Sequence, residues 1–207
     1  MSLETWLVFL VVSIVPVISP GPAILLAVSN TLRYGGRATV FSALGNMFGL
    51  VLVGFAVAFG LAAIMAASAL AFTVVKVIGA AYLIWLGVKV WRDRGALEVA
   101  DGGPGLAKSR RRLFWEAFFV SVTNPKAIII LAALIPPFID PAKPAFAQVA
   151  ILSTTYAVMC FINHLMIAAA GARVRRFLQS ERRMAHLRRA LGAMFIGFGA
   201  ALATASR

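Results

Sequence analysis

The chain has 207 residues, of which 61% are hydrophobic and 13% are charged, with 20 Lys and Arg against 7 Asp and Glu. Soluble domains average about 45–50% apolar and about 25% charged residues, so this composition cannot cover a globular surface with polar groups. A single cysteine excludes an internal disulfide and a multi-cysteine metal site. The basic residues stand in short stretches between long apolar runs, which favours a membrane protein over a nucleic-acid-binding one.

Five apolar runs are candidates to cross a bilayer, which takes about 20 apolar residues per helix. They cover residues 5–32, 38–88, 113–139, 144–172 and 190–206. The second run is long enough for two spans with a turn near residues 66–70, so six spans are predicted. Five spans are the alternative, because the last run is short for a helix that crosses the bilayer. The first run is too long for a signal peptide and no base precedes it, so a retained span is expected.

The basic residues are distributed unequally between the loops, and 16 of the 20 lie in the odd-numbered ones. Because cytoplasmic loops carry this excess, the odd loops are predicted to be cytoplasmic and the N-terminus outside, with the C-terminus outside too if there are six spans. The third loop is rich in glycine and is interpreted as a flexible linker. The predicted organisation is a first three-helix repeat at 1–91, a cytoplasmic linker at 92–112 and a second repeat at 113–207.

Two spans carry a break that falls near the middle of the membrane. Ser-Pro-Gly-Pro at 19–22 lies about 14 residues into its span, and Asn-Pro-Lys at 124–126 about 13 residues into its own. Ser or Asn directly before Pro is a helix-start signal, because the side chain caps free amides and proline suits the first helical position. Spans one and four are therefore predicted to be pairs of half-helices, with Ser19 and Asn124 as caps.

The matching breaks predict two inverted repeats, since three spans per half is an odd number. Many secondary transporters build a substrate site from inverted repeats with broken helices, although a duplicate kept only for packing is the alternative. Half-helix N-termini suit a carboxylate. The breaks are also expected to leave the carbonyls of Val12, Pro16, Ile18 and Ser121 free to accept from an ammonium. Such a site suits a zwitterion, for example a free amino acid.

Several polar residues within the spans are candidates for the site, because ionisable groups in lipid are costly and usually functional. Lys126 is interpreted as a partner of the substrate carboxylate or as a gate, and Lys76 as functional or as an anchor. His164 is either a proton carrier or a hydrogen-bond partner between helices. The predicted substrate-binding residues are Ser19, Pro20, Gly21, Pro22, Asn46, Lys76, Asn124, Pro125, Lys126 and His164.

No nucleotide-binding loop or metal-ligand cluster occurs in the sequence, so no cofactor or metal is predicted. Pairs of small residues such as Gly45 and Gly49 are compatible with a homodimer and equally with a single tight bundle. The alternative function is an exporter or channel for another small solute or cation, and a channel would need a polar lining or a ring of carboxylates. Nothing in the sequence brings Ser19 or Cys160 to His164 as an enzyme would require.

Motifs at 19–22, 43–45, 76–87, 124–127 and 192–199 together resemble the LysE-type exporter family, which includes lysine exporters and the homoserine/threonine (RhtB-like) exporters. The resemblance covers nearly the whole chain. It implies a bacterial cytoplasmic-membrane protein, not an enzyme, that expels amino acids or their derivatives with the proton-motive force, so an amino acid, protons and the lipid bilayer are the implied partners.

The sequence departs from the family pattern at two places. Ala23 follows the first motif where the family often has Asn, and residues 135–138 read Ile-Pro-Pro-Phe where the family has Leu-Pro-Gln-Phe. Each change removes an amide side chain, which bears on the identity of the substrate more than on the class of protein.

Overall fold

The computed structural model describes residues 1–67, 69–92, 108–171, 173 and 180–204, and within these ranges the chain is helical and forms no strand. The helices are α1 (Leu3–Ile18), α2 (Pro22–Tyr34), α3 (Gly36–Ala67), α4 (Ala69–Arg92), α5 (Arg110–Val122), α6 (Pro125–Leu134), α7 (Ala145–Ala170) and α8 (Glu181–Thr204). A short 3-10 turn at Pro136–Phe138 follows α6. The prediction of an all-helical fold is confirmed for the described part of the chain.

Large apolar side chains cover the outer surface of the bundle as well as its interior. Leu3, Leu7, Val11 and Ile14 are exposed as one stripe along α1 because they recur at helical spacing. The interior holds buried polar side chains from several helices, among them Ser13, Ser42, Asn46, Ser121 and Asn163. This pattern requires an apolar solvent, and in such a solvent the helix satisfies its own backbone hydrogen bonds.

Two of the described helices are individually long and apolar enough to cross a membrane, α3 over Gly36–Gly60 and α7. The pairs α1–α2 and α5–α6 would each supply one more span if the two bent halves are counted together. Helix α3 ends at Ala67 and α4 begins at Ala69, and both bounds lie within the stretch 66–70 where a turn is predicted. The count of six spans and the sides of the termini stay predictions.

The last helix is longer than the sequence suggested. Helix α8 begins at Glu181 and has 24 residues, which is about 36 Å of helix. The apolar run that starts at residue 190 therefore lies within a longer helix, because the basic segment before it, including Arg188 and Arg189, continues the same helix. The predicted linker at 92–112 is described only at its two ends, and its glycines lie outside the described residues.

Helix α3 lies at the centre of the bundle, with α5 on one side and α7 on another. Helices α4 and α8 pack mainly against each other, and this pair reaches the rest of the bundle through α3, α6 and α1. The main apolar core forms where α1, α3, α6 and α7 meet, around Phe9, Leu131 and Leu152, which are fully buried.

Glycines bring these helices into main-chain contact. A Cβ added at Gly45 would collide with the carbonyl of Phe114 on α5, and one at Gly87 would lie 2.7 Å from the carbonyl oxygen of Gly192 on α8. At Gly49 it would lie 2.9 Å from the Phe118 carbonyl oxygen. Because these surfaces are used inside one chain, they do not call for a second copy of the protein.

Candidate functional site

The first break separates α1 from α2 by three residues and bends the helix axis by 62°. The amide of Ser19 donates to the Val15 carbonyl at 3.1 Å and closes α1. Helix α2 begins at Pro22, with Gly21 as its N-cap and no side-chain hydrogen bond to its first turn. The prediction that Ser19 caps this half-helix is wrong, because Pro20 and Gly21 lie between Ser19 and the helix.

The second break is shorter and bends the axis by 57°. Helix α6 begins at Pro125, and Asn124 Oδ1 accepts a hydrogen bond from the Lys126 amide at 3.0 Å, so the cap predicted from the Asn-Pro sequence is confirmed. The Asn124 amide donates to the Ser121 carbonyl at 3.3 Å. The expectation that this carbonyl is free for a ligand is therefore wrong.

The two breaks are in contact through Lys126. Its ammonium donates to the carbonyl oxygen of Ser19 at 2.7 Å and lies 3.4 Å from that of Pro20. The lysine side chain runs across Gly21, where an added Cβ would lie 3.3 Å from Nζ. A residue in the first turn of α6 thus supplies hydrogen bonds to main-chain acceptors of the first break, more than 100 residues earlier in the chain.

A cavity of about 50 Å³ lies between the breaks. Its polar lining residues are Ser19, Asn46, Asn124, Lys126, Tyr156, Cys160 and His164, with Gly21 beside them. Six predicted site residues therefore lie around one cavity. Of the others, Pro20 contributes a carbonyl, and Pro22 and Pro125 begin the half-helices. Lys76 lies on α4 with its side chain outside the described part, so its role stays a prediction.

Two buried polar groups that line this cavity have no hydrogen-bond partner among the described residues. They are the amide nitrogen Nδ2 of Asn46 and the hydroxyl of Ser19, and both residues are 2% exposed. The other end of the Asn46 side chain is fixed, because its Oδ1 accepts a hydrogen bond from the Ser121 hydroxyl. An unpaired buried donor costs free energy, so the pair marks a place where an acceptor is missing.

Helix α7 holds the first break from the opposite side. Asn163 Nδ2 donates to the Val17 carbonyl at 3.1 Å, near the end of α1. Both nitrogens of the His164 ring contact main-chain carbonyls: Nε2 lies 3.2 Å from the Ala23 oxygen on α2, and Nδ1 lies 2.7 Å from the Cys160 oxygen on α7 itself. Both residues lie in the interior, and their contacts fit the interpretation of His164 as a hydrogen-bond partner between helices.

Sequence reasoning missed Tyr156, which is buried on α7 and lines the cavity. A tyrosine within an apolar run gives no signal of such a position, because the same residue is common in helix packing. Only the register of α7 against the two breaks shows that Tyr156 and Cys160 face the same space, one helical turn apart.

The cavity is electropositive. Lys126 is the one charged residue that lines it, and no carboxylate of the described residues does so. Two ion pairs of the described part lie elsewhere, one between Lys108 and Glu116 and one between Lys143 and Asp140. The N-termini of α2 and α6, which carry partial positive charge, also end at this cavity. Its electrostatics therefore favour an anionic group.

An apolar cavity of about 290 Å³ adjoins the polar one, between α1, α4, α6 and α8. The two cavities share Pro16 and Ile130 in their lining. The remaining lining is apolar, with Leu83 from α4 and Phe195 from α8. A ligand with a charged end and an apolar end has complementary surroundings on the two sides of these shared residues.

The family model for the LysE type translocator matches residues 14–206. The chain belongs to the LysE family. It is thus a membrane translocator and not an enzyme, which confirms both predictions.

Three relatives of this LysE-type chain align with it over nearly the full length of both chains. A homoserine/homoserine lactone efflux protein of Salmonella typhimurium is 37% identical, over 99% of this chain and 98% of the relative. An uncharacterized membrane protein of Vibrio cholerae is also 37% identical, over 99% of each. A leucine efflux protein of Klebsiella pneumoniae is 30% identical, over 96% of this chain and 94% of the relative. No solved structure matches the chain.

Proposed function

We propose that this LysE-type protein is a secondary transporter that exports an amino acid or an amino-acid derivative across the bacterial cytoplasmic membrane, driven by the proton-motive force. Relatives named for the efflux of homoserine, homoserine lactone and leucine support the substrate class. The observation that carries the proposal is the pair of unpaired donors, Asn46 Nδ2 and Ser19 Oγ, beside the Lys126 ammonium between two broken helices.

The proposed topology has six spans arranged as two inverted three-helix repeats with cytoplasmic odd-numbered loops. Equivalent spans carry breaks with bends of 62° and 57°. Helix α3 packs on α7 and α4 packs on α8, so the second and third helices of each half contact their counterparts. Contacts of this kind are what a two-fold axis in the membrane plane produces.

In the proposed complex the substrate carboxylate accepts hydrogen bonds from Asn46 Nδ2 and Ser19 Oγ and pairs with Lys126. The substrate ammonium donates to main-chain carbonyls of the first break, of which Ser19 and Pro20 already have an ammonium beside them. The side chain of the substrate extends past Ile130 toward the apolar cavity. This arrangement binds the zwitterion through its common part and leaves the side chain to set selectivity.

Binding requires the helices to move. The polar cavity of about 50 Å³ holds one or two waters at about 30 Å³ each, whereas ligand sites usually exceed about 300 Å³. In the described conformation the space between the breaks is therefore too small for an amino acid. Opening toward one side of the membrane and then the other would expose the same donors and acceptors alternately, which is alternating access.

The direct test changes one atom of the Asn46 side chain. Asn46→Asp keeps an acceptor for Ser121 but replaces the free donor with an oxygen that repels a carboxylate. Efflux of radiolabelled homoserine and leucine from proteoliposomes should need about tenfold or more substrate for half-maximal rate, the scale of one charged hydrogen bond. Asn30→Asp is the matched control, because Asn30 is a buried amide bonded to Ser42, away from the cavity.

Both variants must be single folded species in detergent, so that a change in efflux reports substrate binding and not misfolding. An unchanged substrate concentration for half-maximal efflux in Asn46→Asp would contradict the proposed carboxylate site.

The energy source is tested separately on the unmodified protein. Efflux that does not change when the pH gradient and the membrane potential are collapsed would contradict proton coupling. Single-channel currents would favour a channel, which the Lys126 cation and the absence of lining carboxylates in the described residues argue against.

A further inference from the structure

The position of the Lys126 ammonium is unusual for a lysine. It belongs to the second residue of α6, next to the positive end of that helix and to the start of α2 at Gly21 and Pro22. A cation near helix N-termini is unfavourable unless acceptors compensate for it. The compensation here comes from the carbonyls of Ser19 and Pro20, just beyond the C-terminal, negative end of α1.

These carbonyls are free to accept because the helix is broken between α1 and α2. The helix is interrupted at residues 19–21, and the amides of Ala23 and Ile24, which would be the helical partners of these oxygens, lie beyond the bend in α2. A substrate ammonium has the same charge and the same three donors as the end of a lysine side chain. The two ammonium groups therefore compete for one position, and a cavity of about 50 Å³ does not hold both.

We propose that Lys126 is a tethered substitute for the ammonium of the substrate, which occupies the carbonyls of Ser19 and Pro20 while the carrier is empty. The inference rests on the proposed function. When substrate binds, its ammonium takes the carbonyls, and the displaced Lys126 ammonium pairs with the carboxylate of the same molecule. No covalent bond changes, and the charge balance of the closed cavity is the same with and without substrate.

This substitution has a kinetic consequence. A carrier that must return empty after releasing its substrate has to close around bare acceptors, unless something fills them. Lys126 fills them, so the empty carrier closes as the loaded carrier does, and net efflux proceeds. Exchange of substrate for substrate needs no empty return, so it does not depend on the substitute.

The experiment compares net efflux with exchange in proteoliposomes that contain Lys126→Gln. Net efflux into substrate-free buffer should fall about tenfold or more, the scale of one lost charged hydrogen bond. Exchange at saturating substrate on both sides should fall by a smaller factor, because it loses only the pairing of Lys126 with the substrate carboxylate. Lys143→Gln is the matched control, since Lys143 lies in the loop before α7 and pairs with Asp140. It should leave both rates unchanged.

Two further measurements separate this role from a structural one. In Lys126→Ala, a small primary amine such as propylamine should restore net efflux, because a free ammonium fits where the tethered one was. Gly21→Ala keeps the lysine but places a Cβ 3.3 Å from Nζ, and φ of −168° at this position accommodates any residue. It should lower net efflux more than exchange without removing a charge, whereas Gly60→Ala, in open space, should not.

Equal losses of net efflux and exchange in Lys126→Gln, with no rescue by amine, would overturn the inference and leave the transport function standing. An unmodified protein that neither exchanges nor releases any amino acid of the panel would overturn the proposed function, and the inference with it. Net efflux at the unmodified rate in Lys126→Gln would also reject the substitute role.

Discussion

The two breaks differ in what completes them. At the second break the chain completes itself: Asn124 caps α6 with its side chain and closes α5 with its amide. At the first break, the N-cap Gly21 has no side chain that could form a cap. The carbonyls of Val17, Ser19 and Pro20 instead receive hydrogen bonds from two residues of the other half of the chain, Asn163 and Lys126.

The difference indicates that two similar bends have different roles in the site. A local cap stays with its helix through any movement, because its partners are two or three residues away. A donor from another helix leaves when the helices separate. The first break is therefore the place where a ligand can replace a protein group, and the second break is the fixed support that presents Lys126.

The largest effect is expected where α3 supports the second break. A Cβ at Gly45 would collide with the main chain of Phe114, and main chain cannot rotate away as a side chain can. Overpacking usually costs about 1–3 kcal/mol, and Gly45→Ala should lower the free energy of unfolding by an amount in the upper part of this range. Thermal unfolding in detergent measures this effect.

Gly60→Ala is the control for that variant, because Gly60 lies on the same helix with nothing near an added Cβ. It should unfold at the same temperature as the unmodified protein or slightly higher. A Gly45→Ala protein of unchanged stability would show that α3 and α5 can separate freely, and the second break would no longer be the fixed one.

The next effect sharpens the contrast between caps. Asn124→Ala removes a side-chain cap and should cost about 1 kcal/mol of stability. Ser19→Ala removes a hydroxyl without a described partner, so stability should change little, while the substrate concentration for half-maximal efflux should rise. Unfolding curves and efflux are measured on both variants. Loss of stability in Ser19→Ala, with efflux intact, would reverse the assigned roles.

The smallest effect is expected in the loop after α6, which is also closed by local bonds. The amide of Ala142 donates to the Asp140 carboxylate, and this bond, with help from Lys143, holds the pKa of Asp140 below its ordinary value. A lowered pKa stabilises the fold above the ordinary pKa of about 3.9, and this stability is lost as pH falls through the folded-state value. Asp140→Asn should remove that part of the pH dependence, visible as a smaller drop in melting temperature on acidification. An identical drop in both proteins would contradict it.

Local features were predictable from particular residues. The Asn-Pro sequence at 124–125 predicted its cap because the acceptor and the amide are two residues apart. The same reasoning failed at Ser19, where a second proline moves the helix start to Pro22. It also failed at Ser121, whose carbonyl accepts from the Asn124 amide at the end of α5. Tyr156 could not be found, since its place depends on how α7 faces the breaks.

By itself, the sequence determined the membrane class, the positions of the breaks and the helical character of the apolar runs within the described residues. These follow from the transfer of side chains into lipid and from the missing amides of proline. Only the tertiary structure decided that Lys126 reaches the carbonyls of Ser19 and Pro20 and that Asn46 and Ser19 keep unpaired groups beside it. The reason is physical: a hydrogen bond between residues more than 100 positions apart depends on the mutual placement of whole helices, which no local pattern encodes.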